Sequence, residues 1–327
     1  MNAVIYERYG PPEVLRVVKL PRPKPRPHEV LIRVRAVEVT KGDCELRSFN
    51  FPVKWFAGPL RLAWGITEPR RNRRVLGGYF AGEVEACGGG VTRFNVGERV
   101  FGGAQLRMGA YANYAVYPET YSIARLPEKV SFEAGAASLL GGLNAWHFLN
   151  LGKLERGDQL LVNGAGGSIG LLAIQIAKAK GAVVTAVDKP AKAELIQRAG
   201  ADHFFDYTME DIRSAGSSFD VMLNMVPSMS AKTCLGLVKP GGRVLMGNPR
   251  LRDLLGGVFR SPGEGKRVHV AFAGETLQDL EALSGLLETG VVRPIIDRTL
   301  PLVNVAEAHR LVETEDRQGA IVLVPDG

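Results

Sequence analysis

The run Gln159-Leu160-Leu161-Val162-Asn163-Gly164-Ala165-Gly166-Gly167-Ser168-Ile169-Gly170 constrains this chain more than any other stretch. Leu160 to Val162 is a short unbroken apolar run after a Gly-Asp turn, as expected of a strand covered on both faces. Small residues follow, and then Leu171 to Lys180 is apolar at helical spacing. Strand, glycine turn and helix together make a phosphate-holding βα unit. Glycines let the main chain turn sharply and approach a pyrophosphate, and the new helix aims free N–H groups and its positive dipole end at the anion. The frame departs from G-x-G-x-x-G in its first position, reading A-x-G-x-x-G through Ala165, Gly167 and Gly170. Its context is complete, because Asp188 closes the next apolar run, Val183 to Val187, about twenty residues further on. A dinucleotide site is therefore favoured over a tight turn with only a structural purpose.

The rest of the chain arranges itself around that unit. Its 327 residues suggest two domains, each long enough for a core of its own. Residues 1 to about 122 read as β-rich, with strands expected over Ala3–Tyr6, Val30–Val37, Ala81–Ala86 and Tyr111–Tyr117, a turn around Asn95–Glu98, and glycines between the runs. The segment from Phe49 to Arg74, with Pro52 and Pro59, reads as an irregular insertion. From about Ser131 the texture changes. Phe132 to Leu151 is mostly apolar and helical, and βα alternation follows, with strands expected near 160–163, 183–187, 203–205, 220–224 and 242–247 and a helical pattern at Ala191 to Ala199. Such alternation implies a parallel sheet with helices on both faces. The tail adds a strand near Val268 to Phe272, a helix from Thr276 to Thr289, an extended stretch between Ile295 and Leu300, a helix at Val305–Glu313 and a last strand at Ala320–Val324.

Many of these segments resemble the medium-chain dehydrogenase/reductase superfamily, in particular its zinc-independent quinone oxidoreductase-like branch. The resemblance runs nearly end to end. It includes Tyr9-Gly10-Pro11-Pro12-Glu13-Val14-Leu15, Pro25 to Val34, Val91 to Gly102, Gly109 to Tyr114 and Leu126 to Phe132. It continues through the glycine turn, Leu237-Val238-Lys239-Pro240-Gly241-Gly242-Arg243, and Pro301-Leu302 to Ala308-His309. It implies an α/β protein with a GroES-like β-barrel catalytic domain (residues 1–122 and 271–327) and an inserted Rossmann domain with a doubly wound parallel sheet (123–270). It also implies an active cleft between the two. Residues expected to bind the cofactor are Gly164, Ala165, Gly166, Gly167, Ser168, Ile169, Asp188, Lys192 and Tyr207.

Zinc-using members of the superfamily carry three metal ligands at positions that align here with Thr40, Gly78 and Gly141. Threonine is a poor zinc ligand and glycine has no side chain to offer, so no catalytic metal is expected. The cysteine-rich structural zinc loop is missing as well. Without a Lewis acid on the oxygen, conjugated acceptors such as quinones and α,β-unsaturated carbonyls are the suitable substrates, because they spread the developing charge. Thr40, Asp43 and Tyr79 are the candidate catalytic residues, as hydrogen-bond or proton donors around that oxygen. Asp43 also stands three residues after Thr40 at the start of a helical pattern, which fits capping, and Tyr79 could simply pack its ring. Expected cofactors are NAD(H) or NADP(H). Asp188 favours NAD(H), while Lys189 and Lys192, read as pointing outward, pull the other way.

Charge and cysteine content bound the remaining possibilities. Net charge is +7, concentrated in the first 75 residues, where 16 Lys and Arg stand against 7 Asp and Glu. No aromatic interleaving or nucleic-acid motif accompanies Arg22, Lys24, Arg26 or the Arg61–Arg74 cluster, so solvated basic loops are expected and no nucleic-acid partner. Cys44, Cys87 and Cys234 are scattered, which fits a reducing cytoplasm. No run is long enough for a bilayer, so no membrane partner is expected. The superfamily resemblance implies a homodimer joined along Rossmann sheet edges, with Arg267–Phe272 a plausible edge strand. His147, His203 and His309 read as ordinary structural residues. The competing functions are an alcohol dehydrogenase or enoyl-thioester reductase on this scaffold, and a regulatory nucleotide-binding protein without turnover.

Overall fold

The computed structural model describes residues 1–51, 57–248, 263–271, 274–314 and 317–325. The chain divides into two compact units. One comprises Met1–Leu140, Glu275–Gly290 and Pro294–Gly327; the other comprises Gly141–Gly274 and Val291–Arg293.

The first unit is built on strand Glu29–Val39, which is almost wholly buried. Its first half pairs with Tyr114–Pro118 and its last residues with Ala320–Val324, while Tyr79–Cys87 runs along its other side. The sheet continues through Arg99–Gly103 to Ile123–Arg125, and Ile296–Pro301 lies on the far side of Ala320–Val324. Two irregularities in the pairing with Tyr79–Cys87, at Leu31/Ile32 and Val34/Ala36, add the local twist that a curled sheet needs. One face carries a continuous apolar core that includes Ile32, Val37, Val39, Phe80, Val100 and Ile321. Helix Val305–Glu313 joins Ile296–Pro301 to Ala320–Val324 and sends Val305, Ala308 and Val312 into the same core.

The insertion is more ordered than its prolines suggest. Ala57–Trp64 is a helix, with Pro59 in its first turn, where a missing backbone N–H leaves no bond unmade. Trp64 is fully buried, its indole N–H donating to the Tyr6 hydroxyl at 2.7 Å, and Leu60 packs against the core while Leu62 stays exposed. Trp55 and Phe56, in the same insertion, lie outside the described residues. The arginines here serve the unit itself. Arg61 stacks over Phe49 and Tyr9, Arg73 lies over Trp64, and Arg74 pairs with Glu7 and Glu68.

The second unit holds a six-stranded, wholly parallel sheet in the order His203–Asp206, Val183–Asp188, Gln159–Asn163, Phe219–Asn224, Val238–Met246, Arg267–Val270. In chain order that is 3-2-1-4-5-6, the doubly wound Rossmann arrangement. Leu160, Leu161, Val162, Val184, Val221, Met222 and Leu223 in its central strands are each at most 1% exposed, as burial on both faces demands. Arg267–Val270 ends at the sheet edge as expected, while Phe272 lies outside the described residues. Helix Phe132–Leu151 has the expected bounds, and the boundary between the units falls within it. No helix among the described residues is long and apolar enough to cross a membrane.

Candidate functional site

The glycine turn has the geometry that its sequence implies. Gly164 sits at φ +85°, a left-handed conformation that glycine adopts without strain. Helix Ser168–Ala179 starts directly after it, with Gly167 at the N-cap and no side chain capping the first-turn amides. A Cβ on Gly170 would lie 2.6 Å from main-chain atoms of Gly164 and Ala165, so this glycine lets the helix pack on the turn. A Cβ on Gly167 would meet nothing nearer than the Gly164 carbonyl at 3.5 Å. The turn is therefore open on the side where an anion would approach those amides. Ser168 and Ile169 begin the helix, and Ala165 is fully buried.

Asp188 holds this turn to the sheet. Its Oδ2 accepts from the Gly166 amide and its Oδ1 from the Lys189 amide, each at 2.8 Å. A carboxylate has further lone pairs, so acceptor capacity remains for ribose hydroxyls. Asp206 on the neighbouring strand stands beside Asp188 in register, which brings a second carboxylate to the same strand ends. The outward direction expected of the lysines is corrected for Lys192. It is 4% exposed, and its Cβ and Cγ pack so closely on Gly166 that an added Cβ there would lie 2.8–2.9 Å from them. Tyr207 is exposed.

Two residues at the switch point of the sheet escaped the sequence reading. Asn163 and Asn224 end the first and fourth strands, between which the winding direction reverses. The Asn163 amide donates to Asn224 Oδ1 at 2.8 Å, and the Asn224 side chain turns back to accept from the Val226 amide and donate to its carbonyl. Both are buried, so the pair fixes the crevice at which open α/β sheets bind their ligands. Polar residues ending two buried apolar strands were the available signal.

In the other unit, Thr40 and Asp43 close a capping box at the start of helix Lys41–Ser48. The Thr40 amide and hydroxyl donate to Asp43 Oδ2 at 2.9 and 2.6 Å, and the Asp43 amide donates back to Thr40 Oγ1 at 3.1 Å. Asp43 Oδ1 accepts from the Gly77 amide at 3.0 Å, tying the helix start to the Gly77-Gly78-Tyr79 segment. Burial raises the Asp43 pKa, against the pull of the Thr40, Gly77 and Tyr111 hydrogen bonds.

Behind Asp43 runs a buried polar chain that proximity in sequence does not reveal. The Arg47 guanidinium lies 3.2 Å from His309 Nδ1, donates to the Gly10 carbonyl at 3.0 Å and pairs with Glu313. Because a guanidinium can only donate, Nδ1 must accept, and the ring proton sits on Nε2. From there it donates to the Tyr111 hydroxyl at 3.2 Å, and that hydroxyl in turn stabilises ionised Asp43. Burial, helped by Arg47, lowers the His309 pKa to about 3. The reading of His309 as structural stands, but it belongs to a polar chain that ends on a candidate catalytic carboxylate.

Tyr79, half-buried on the edge of this face, donates its phenolic hydrogen to Glu275. Glu38 lies directly across from it in register. Neither carboxyl entered the sequence reading. Glu38 did leave a trace, as a lone acid inside the apolar run Val37-Glu38-Val39.

A parallel Rossmann sheet with an open glycine turn, in one chain with a curled and mostly antiparallel sheet, makes a scaffold suited to a nicotinamide-dependent oxidoreductase. Residues 26–128 match the family model for the alcohol dehydrogenase GroES-like domain, and residues 199–323 match a model described as zinc-binding dehydrogenase. The chain is 31% identical over 337 residues to a quinone oxidoreductase of Pseudomonas aeruginosa, covering 98% of both chains. Among solved structures, a quinone oxidoreductase from Coxiella burnetii superposes with a TM-score of 0.86 at 26% identity over 99% of both chains. One from Escherichia coli, solved with NADPH, shares the fold with a TM-score of 0.81 at 24% identity, over 99% of this chain and 100% of its own. The chain belongs to the medium-chain dehydrogenase/reductase superfamily, in its quinone oxidoreductase-like branch, and is an NAD(P)H-dependent oxidoreductase.

The zinc in that family description does not fit the residues present. Thr40 has its hydroxyl committed to Asp43, Gly78 has no side chain, and a Cβ on Gly141 would lie 2.6 Å from the Ser168 carbonyl oxygen, leaving no room for a ligand side chain. All three positions lie outside the matched residues 199–323. The nicotinamide dinucleotide does fit. The open side at Gly167, the uncapped helix start and Asp188 would hold its diphosphate and ribose.

Proposed function

We propose that this enzyme reduces quinones or α,β-unsaturated carbonyl compounds without a catalytic zinc. The observation that carries the reading is the donor set at the three ligand positions, where one hydroxyl already serves a helix cap and two residues have no side chain. Reduction of an isolated ketone calls for strong polarisation of its oxygen, which such a set cannot give through a metal. Conjugated acceptors delocalise the incoming charge onto an oxygen that hydrogen-bond donors can stabilise.

A nicotinamide dinucleotide bound on the glycine turn supplies the hydride. The amides of Ser168 and Ile169 face its diphosphate, Gly164 to Gly167 give the backbone room to approach, and Asp188 receives the adenosine ribose hydroxyls. Asp188 and its neighbour Asp206 disfavour a 2′-phosphate, so NAD(H) is the preferred form. In the other unit Tyr79 offers a phenolic proton, and Asp43 with Thr40 keeps the Gly77–Tyr79 backbone in place. The protein is cytoplasmic and works as a homodimer through edge strand Arg267–Val270.

The test is a steady-state assay of NADH and NADPH oxidation with a quinone, an enone and a simple ketone. Turnover of the conjugated acceptors, with the ketone poor, is expected. Ketone reduction as fast as enone reduction would remove the argument.

A further inference from the structure

The face of the curled sheet opposite its apolar core carries an arrangement of acids that capping and nucleotide binding leave unused. Glu38, Tyr79 and Gly103 occupy one rung across three adjacent strands, with Glu38 paired to Tyr79 and Tyr79 paired to Gly103. Side chains on one rung share a face of the sheet. Gly103 has none, and its place is taken by Glu275, which arrives from a segment far along the chain. A Cβ on Gly103 would lie 2.6 Å from Glu275 Oε2, so the glycine makes the seat for this carboxyl. The Ser122 hydroxyl fixes the Glu275 backbone by donating to its carbonyl, and Tyr79 donates to Glu275 Oε1. On the other flank, Glu38 is fully buried, and its carboxyl has no side-chain hydrogen-bond partner among the described residues.

We propose that Tyr79 delivers a proton to the reduced acceptor and recovers it from Glu275, while uncharged Glu38 keeps the phenol free to release it. The proposal rests on the acceptor class given above and adds the source of the proton. Hydride addition to a conjugated carbonyl leaves an enolate or hydroquinone oxyanion. The Tyr79 O–H bond breaks as the acceptor O–H bond forms. The Glu275 O–H bond then breaks as the Tyr79 O–H bond is restored, and the Glu275 carboxylate takes a proton from water. Glu275 is only partly buried and is flanked by exposed Gly274 and Thr276, so water reaches it. Tyr79 touches the acceptor in this scheme, and Glu275 acts through Tyr79.

The charge environment supports these roles. Burial raises the Glu275 pKa, opposed only by the Tyr79 hydrogen bond, so this carboxyl holds a proton more readily than a surface glutamate. Burial pushes the Tyr79 phenol well above its ordinary range, and negative charge on Glu275, Glu38 or Asp43 would push it further, so it stays protonated until an oxyanion needs the hydrogen. Glu38 is pushed up to about 8, first by burial and then by Asp43 at the helix start, with Arg317 and the Leu140 amide pulling the other way. From its strand neighbours it faces Tyr79 on one side and Val322 on the other. At neutral pH Glu38 is therefore an uncharged acid. Once ionised, it places a negative charge beside the phenol and holds the proton there. Isolated buried acids are costly to a fold, which points to a functional reason for this one.

The experiment compares wild type, Glu275→Gln, Gly103→Ala and Glu38→Gln. It reads kcat against pH with an enone, the solvent deuterium effect, and NADH affinity by fluorescence. Glu275→Gln should lower kcat by about 100-fold, a usual size for a lost proton-transfer group, with NADH affinity unchanged. Gly103→Ala, which fills the seat without touching the carboxyl's chemistry, should reproduce much of that loss. Wild type should lose activity as pH rises through about 8, and Glu38→Gln should carry activity to higher pH. Infrared titration of the cofactor-free protein decides the relay independently of any acceptor. A protonated-carboxyl band that vanishes in Glu38→Gln is expected at neutral pH, and one that vanishes in Glu275→Gln is expected to persist above the pH at which a surface glutamate ionises. If wild type reduces neither acceptor class, the acceptor reading fails while these bands still test the relay. Absence of both bands, or a Glu275→Gln variant with wild-type kcat, pH profile and isotope effect, overturns it.

Discussion

His309 gives the sharpest thermodynamic handle on the polar chain behind Asp43. The ring is fully buried, its Nδ1 faces the Arg47 guanidinium, and its folded pKa is lowered to about 3. In the unfolded chain the same group titrates near 6.5. The folded state therefore favours the neutral ring, and the unfolded state takes up a proton as the solution acidifies. The stability that neutral His309 contributes is present above about pH 6.5 and is lost as pH falls toward 3. Each pH unit in that window costs about 1.4 kcal/mol for one proton, so lowering the pH from about 6.5 to about 5 removes roughly 2 kcal/mol. Other groups titrate in acid too, so wild type is compared with His309→Gln. A glutamine amide can present its oxygen to Arg47 and its NH2 to Tyr111, as the Nε2–H tautomer does, but cannot take up the proton. Urea unfolding followed by tryptophan fluorescence reports on the same unit through buried Trp64. Between about pH 6.5 and about pH 5 the wild type should lose roughly 2 kcal/mol more than the variant. Parallel pH dependences would show that His309 accepts a proton in place, and the tautomer argument would fail with it.

The nucleotide site, the zinc-ligand positions and the sheet edge make four further predictions. Gly167→Val has a backbone conformation open to valine (φ −82°, ψ 165°) and space for its side chain, so the fold should survive while NADH affinity falls at least tenfold; unchanged affinity in a fluorescence titration would refute the cradle. Asp188→Ser should move preference toward NADPH in a comparison of kcat/KM for the two cofactors, and should also loosen the turn, because the Gly166 amide loses its acceptor. No change in the NADH to NADPH ratio would place the ribose elsewhere. Dialysis against a strong chelator should leave activity intact, and chelator-sensitive activity with stoichiometric zinc would count against the zinc-free reading. Light scattering at working concentration should give twice the chain mass of 35.4 kDa, and a monomer would refute pairing through Arg267–Val270.

Local chemistry made the Rossmann half legible before any coordinates. Its five expected strands from 160 to 247 all form, because a parallel strand buried on both faces is an unbroken apolar run and its crossover is a helix. The tail was as clear, since Val305–Glu313 carries apolar residues at the helical period and Ala320–Val324 is an unbroken apolar run. The strand expected over Tyr111–Tyr117 begins only at Tyr114, however, because the Tyr111 amide donates to the Leu76 carbonyl, its carbonyl accepts from Val4, and Ala112 makes a single bridge to Ala3. The insertion was misread as irregular because Pro59 looks like a breaker, although a first-turn proline ends nothing.

Within the candidate site the division follows sequence distance. Thr40 and Asp43 are three residues apart, so their capping box is a local pattern, and the glycine turn with its helix is contiguous. The partners that give these residues a chemical setting come from far away. Tyr79 and Glu275 are separated by 196 positions, Tyr111 and His309 by 198, and Arg47 and His309 by 262. No periodicity or spacing encodes such pairs, because each depends on how the sheet curls and where the returning tail crosses it. The sequence alone pointed to Gly164–Ile169 as the place for a dinucleotide and showed that Thr40, Gly78 and Gly141 offer no zinc-ligating side chain of the usual kind. Only the tertiary structure decided which buried groups face Asp43 and Tyr79, and burial beside those partners is what sets the protonation of Glu38, Glu275 and His309.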